Sequence, residues 1–138
     1  MSFLTRIHGS EIAFALIGIW AVIGLWSLAL RFMKYEETPK FWRVVSVAQM
    51  LLAVQWLVGL VLLLMGGRPG RANAGPKALL LHLLYAVFSP VVVLGVAHFM
   101  ARKGTQDGRR NPYTIFALVG LVMFGLLFRA YQVGIDGF

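Results

Sequence analysis

ALLLHLLYAVFSPVVVLGVAHFMA, residues 78–101, is the stretch whose reading decides the fold. It carries no Asp, Glu, Lys or Arg, and its most polar side chains are His82, Tyr85, Ser89 and His98. A helix rising about 1.5 Å per residue needs roughly 20 such residues to cross a hydrocarbon core ~30 Å thick. Inside lipid no water serves the backbone amides, so a run of this kind is a helix. The period-two alternation of a barrel strand is absent.

Three further runs share this character: from about Ile12 to Met33, from Phe41 to Met65 and from Tyr113 to Val133. Pro39, Pro76 and Pro112 stand just before spans two, three and four, where a missing N–H is harmless and the fixed φ suits a first turn. Gly66, Gly67, Pro69 and Gly70 close span two. The connections are short, which makes sequential helices antiparallel. The expectation is a single-domain, all-α, integral membrane four-helix bundle of up-down-up-down topology over residues 1–138.

Composition leads the same way. The 138 residues are 59% hydrophobic and only 13% charged, with a mean hydropathy of +0.79. A soluble domain carries about 25% charged residues. This excludes a soluble globular domain, a disordered tail and a nucleic-acid module. The net charge of +8 is what short cytosolic loops accumulate in membrane proteins. Arg31, Lys34, Lys40 and Arg43 flank the first connection, and Arg102, Lys103, Arg109 and Arg110 the third. The other side holds Arg6, Arg68, Arg71 and Lys77, with Arg129 near the end of span four. The bias places both termini outside the cytoplasm, in an inner (plasma) membrane. Tyr35, Trp42 and Tyr113 mark the inner interface and Tyr131 the outer one. Arg6, the apolar run and Ser27-Leu28-Ala29 loosely imitate a cleaved signal, but Glu11 lies beside the basic start and Arg31 and Lys34 follow directly, as in an anchored span. Cysteine is absent, which removes disulfides, zinc thiolates and thiol chemistry.

Ionisable and strongly polar side chains inside a span are costly, so each is a candidate for function. They are His8 and Glu11 before and at the start of span one, Gln49 and Gln55 in span two, His82, Tyr85 and Ser89 in span three, and Arg129 in span four. Spans one and three run the same way, so His8 and His82 lie toward one side of the membrane, with Glu11 and Arg129. His82, Tyr85 and Ser89 fall at i, i+3 and i+7, one face of a helix. Ala48, Gln55, Gly59 and Gly66 form a groove of small residues with one amide on span two.

Two readings fit these residues. Spans one and three are diagonal in a simple bundle, so His8 and His82 can ligate the iron of one b-type haem, or a related tetrapyrrole, from both sides. Arg129 and Arg6 then pair with propionates, Tyr85 lines the site, and Glu11 orients His8 or balances Arg129. In the structural reading His8 is solvated ahead of its span, His82 bonds Gln55, Ser89 or a backbone carbonyl, and Glu11 with Arg129 ties helix one to helix four. His98, 16 residues after His82, is rotated by roughly 160° and is read as structural. Pro90 is expected to kink span three and free a carbonyl near mid-membrane. No Gly-xxx-Gly pair lies within a span. There is no phosphate loop, His-Glu-x-x-His motif or nucleophile elbow. Polar groups are too few for a transporter or channel.

Leu81-His82-Leu83-Leu84-Tyr85 with Pro90, and Arg129-Ala130-Tyr131-Gln132-Val133-Gly134, resemble a group of small uncharacterised bacterial four-span membrane proteins. That resemblance implies fold and location. A looser one is to haem-b four-helix membrane proteins, including the membrane-embedded protoporphyrinogen oxidase and copper-resistance families, in which a histidine opens span one; His8 matches it. Those oxidases are expected to carry a lysine in span three, where this chain has His82. The likeness implies one haem at most. The expected function is thus a small haem-binding redox or accessory subunit. The alternative is a non-catalytic structural subunit of a larger membrane complex. The expected partners are the lipid bilayer and other membrane subunits, not nucleic acid.

Overall fold

The computed structural model of the chain describes residues 3–33, 38–70, 75–106 and 111–137. Lys34, Tyr35, Arg71, Arg109 and Arg110, which the charge and aromatic-belt readings use, lie outside these residues. Among the described residues every regular element is helical. Helix α1 runs from Phe3 to Phe32, α2 from Pro39 to Leu64, α3 from Pro76 to Gln106 and α4 from Pro112 to Asp136. All four are long and apolar enough to cross a membrane.

The three prolines open their helices as expected, each in the first turn. Asn111 adds a cap: its side-chain oxygen accepts the Tyr113 N–H at 2.8 Å. Gly66, with φ near +84°, ends α2 in the left-handed region, and the Gly67 N–H returns to the Leu62 carbonyl at 2.8 Å.

Helix α1 begins nine residues earlier than the hydropathy pattern suggested. The stretch from Ile7 to Glu11 continues the helix as a π-turn, in which the Ile12 N–H bonds the Ile7 carbonyl. One added residue per turn brings positions five apart onto one side. Arg6 and Glu11 therefore meet, Nη2 to Oε1 at 3.3 Å, and the Ser10 hydroxyl donates to the Arg6 carbonyl. His8 is thus inside the helix, not in solvent ahead of it.

A second π-turn, Leu84–Phe88, interrupts α3 just before Pro90. Pro90 has no N–H for the carbonyl four residues back, that of Ala86. The Trp56 indole of α2 donates to that carbonyl at 2.7 Å. The expected freed carbonyl is therefore there, and a neighbouring helix serves it.

Helices α1 and α4 form the centre: 39% and 44% of their apolar windows are buried, against 11% for α2 and 6% for α3. They cross at Gly24 and Gly120, where a Cβ on Gly120 would strike the Gly24 backbone. The buried Ser27 hydroxyl donates to the Tyr113 carbonyl at 2.6 Å. Helix α2 packs on α1 and α3 on α4, leaving α1 and α3 on a diagonal. Helices α2 and α3 meet mainly through side chains, by the Trp56 bond and by Gln49, whose Nε2 lies 2.6 Å from His98 Nε2. At the Tyr113 end, the rings of Trp26, Phe41, Trp42, Tyr113 and Phe116 make edge-to-face contacts 5.1–6.1 Å apart, a stabilising geometry for aromatic pairs.

Candidate functional site

At the opposite end the two histidines come together. His8 lies in the π-turn of α1 and His82 in the first two turns of α3, and their ring centres are 6.2 Å apart at an interplanar angle of 60°. Two imidazoles on directly opposite sides of one metal, with metal–nitrogen bonds of about 2.0–2.1 Å, would have ring centres roughly 6.2–6.6 Å apart. The observed spacing falls within that range. It also lies within the roughly 4.5–7 Å of rings in direct edge-to-face contact, so the spacing is open to both arrangements.

Each ring has a defined setting. His82 Nδ1 lies 3.0 Å from the Ala130 carbonyl oxygen of α4. A carbonyl only accepts, so Nδ1 carries the proton and Nε2 the lone pair. This is the backbone-carbonyl bond that the structural reading expected of His82, and the same bond would fix the tautomer of a metal-ligating histidine. The His82 ring edge also rests on Gly134, where a Cβ would sit 3.3 Å from Cε1. His8 lies against Gly59 of α2, and here a Cβ would sit only 2.8 Å from Cε1. Gln55, one turn earlier on α2, donates its amide to the His8 carbonyl at 2.8 Å. Two polar atoms remain buried without a hydrogen-bond partner here: His8 Nδ1 and Gln55 Oε1.

No protein family, curated protein or solved structure matches the chain. The chemistry of the site therefore rests on its geometry.

Of the residues singled out in the sequence, His8, His82 and Gln55 are brought together. The small-residue groove on α2 runs as expected through Ala48, Gln55 and Gly59 toward α1, while Gly66 belongs to the turn after it. Glu11 pairs with Arg6 at the surface and not with Arg129. Arg129 is exposed and its Nη1 donates to Gln132 Oε1 at 3.3 Å. It is next in sequence to Ala130, whose carbonyl holds His82. Tyr85 sits within the second π-turn and Ser89 just after it, both half-buried, and neither bonds an imidazole among the described residues. The π-turn falls between His82 and Ser89, so the face expected from regular helical spacing is broken there. His98 binds Gln49 and packs its ring 5.5 Å from Phe116, in keeping with a structural role.

Sequence reasoning did not find Ala130, Gly134 or Trp56. The Ala130 contribution is a main-chain carbonyl, for which no side chain gives a signal. Gly134 gave no signal either, since Gly125 of the same helix meets nothing within 4 Å and a glycine alone does not mark a close approach.

Proposed function

We propose that this chain is a four-span membrane protein that holds one b-type haem between His8 and His82 as a redox or accessory subunit. The observation that carries the reading is the histidine pair: two imidazoles on diagonal helices, one anchored through Nδ1, with ring centres 6.2 Å apart. The donor set fits this group better than a bare ion. Among the described residues no cluster of three or more His, Asp or Glu could hold a metal, whereas zinc takes three or four protein ligands. Haem would need only a pair of imidazoles from the protein, which His8 and His82 would supply. When bound, it supplies one-electron redox chemistry. His8 and His82 would hold the group, Ala130 and Gln55 would orient them, and Arg129 would offer an exposed cation to a propionate.

The side-chain contacts support an up-down-up-down course, with His8, Gln55, His82 and Ala130 at one end and Ser27, Thr38, Tyr113 and Thr114 at the other. Arg31, Lys40, Arg43, Arg102 and Lys103 gather toward the second end. By the charge rule that end faces the cytoplasm of a plasma membrane, with both termini and the haem on the outer side.

Absorption spectroscopy of purified protein, with and without added haemin, tests the proposal. The expected result is a Soret band at one haem per chain, lost in both His8→Ala and His82→Ala. A folded wild type that stays colourless with haemin overturns it and leaves the structural-subunit reading.

A further inference from the structure

We propose that the basic end of the bundle carries a seat for one anionic phospholipid on the outward side of α2, with Trp42, Arg43 and Ser46 at the phosphate and Val47 and Met50 along an acyl chain. The site is independent of the haem reading: it lies at the end opposite the histidines and needs only that the helices cross a bilayer.

A hollow of about 750 Å3, open on one side, is lined among the described residues by Pro39, Trp42, Arg43, Ser46, Val47 and Met50. These positions recur at intervals of three and four, so they form one stripe of α2. Over about 16 Å of helix axis the stripe changes character. Its first two turns present three donors: the Arg43 guanidinium, the Ser46 hydroxyl and the Trp42 indole N–H. Among the described residues none of them has a hydrogen-bond or ion-pair partner, and no carboxylate lines the hollow. Its far end, Val47 and Met50, is apolar and exposed. Idle donors at a membrane surface, continued by an apolar track, are the complement of a phospholipid: a phosphate that accepts charge-assisted hydrogen bonds, continued by a hydrocarbon chain.

The surroundings favour a negative head group. Trp42 is held edge-to-face by Phe41 and Phe116, with ring centres 5.2 and 5.1 Å away, so its half-buried ring is a fixed wall of the hollow. Gln49 of α2 meets His98 of α3, and seven residues on Trp56 meets Ala86, so α3 runs back as α2 advances. Arg102, one turn after His98, therefore stands level with Ser46, one turn before Gln49, and is exposed. Lys40 and Lys103 are exposed at the same end. Residues 31–43 and 102–110 together hold eight Lys or Arg against three acids, Glu36, Glu37 and Asp107. Each cation close to an anionic leaflet is worth about a fivefold gain in affinity, and a zwitterionic lipid gains nothing from the excess.

Native mass spectrometry of the full chain in detergent, titrated with phosphatidylglycerol or with phosphatidylcholine of the same acyl chains, tests the site. The wild type is expected to hold one phosphatidylglycerol about tenfold more tightly than phosphatidylcholine. Arg43→Gln is expected to weaken phosphatidylglycerol binding about tenfold or more, while Arg68→Gln, at the other end of α2, leaves it unchanged. Ser46→Trp fills the hollow without touching a charge and is expected to abolish the bound lipid, which separates a shaped seat from diffuse attraction. Ser46 and Arg43 are both exposed, and unchanged thermal midpoints verify that the variants fold. Excess inorganic phosphate is expected not to displace the lipid, because it has no chain for Val47 and Met50 to hold. Equal affinity for the two lipids, equal losses in Arg43→Gln and Arg68→Gln, a lipid that survives Ser46→Trp, or displacement by phosphate each overturns the proposal. The readout involves no haem, so a colourless protein that binds the lipid in this pattern upholds the site.

Discussion

At Gly59 the spacing of the site comes down to one missing methyl group. A Cβ there would lie 2.8 Å from His8 Cε1, too close for both to stay in place. What has to yield is the imidazole, the far end of a side chain, so the fold is spared and the ring tilts. Sites of this kind tolerate displacements of only about 0.5 Å. Gly59→Ala is therefore expected to lower haem affinity about tenfold or more while leaving the thermal midpoint nearly unchanged, as read by haemin titration and thermal unfolding of the same samples. Gly95→Ala, where a Cβ meets nothing within 4 Å, is the matching control. The histidines were legible in the sequence because an ionisable group in an apolar run must have a reason to be there. Their supports were less so: Gln55 stood out as an amide in a span, but every residue has a carbonyl, and nothing marks Ala130 in advance.

The elements show how a helix can lose one hydrogen bond and gain a connection. Pro90 withholds an N–H from the Ala86 carbonyl, the chain relaxes into a π-turn, and Trp56 reaches across from α2 to fill the gap. Trp56→Phe is expected to destabilise the protein by about 1–3 kcal/mol, the cost of an unsatisfied buried carbonyl. Pro90→Ala restores an N–H that can serve Ala86, so the Trp56→Phe penalty should shrink in that background. A double-mutant cycle in detergent measures the coupling, and strict additivity of the two changes would contradict the account. Proline 90 announced the irregularity, but not that it would be a π-turn or that an indole would complete it. The first π-turn was concealed for a different reason. Arg6, His8, Ser10 and Glu11 dilute the hydropathy of a segment that is nonetheless helical, so the apolar pattern placed the start at Ile12. That shift brings His8 inside the helix, with its ring centre 6.2 Å from that of His82.

For the whole molecule, stability is concentrated along α1 and α4, whose backbones meet at Gly24 and Gly120. Here the neighbour of a new side chain is main chain, which cannot swing aside. Gly120→Ala is expected to cost about 1–3 kcal/mol or more through overpacking, seen as a lower unfolding midpoint in detergent. Gly18→Ala, on an open face of α1, should be close to neutral. Four spans were plain from hydropathy alone, yet not which pair would be central, because a single glycine on each of two helices matches no repeat within either. The outer pair is arranged differently. Helices α2 and α3 are joined by a few side-chain bonds and not by close backbone contact. The tight seam therefore runs between α1 and α4, and the two outer helices are held to each other by little more than the Gln49–His98 and Trp56–Ala86 bonds.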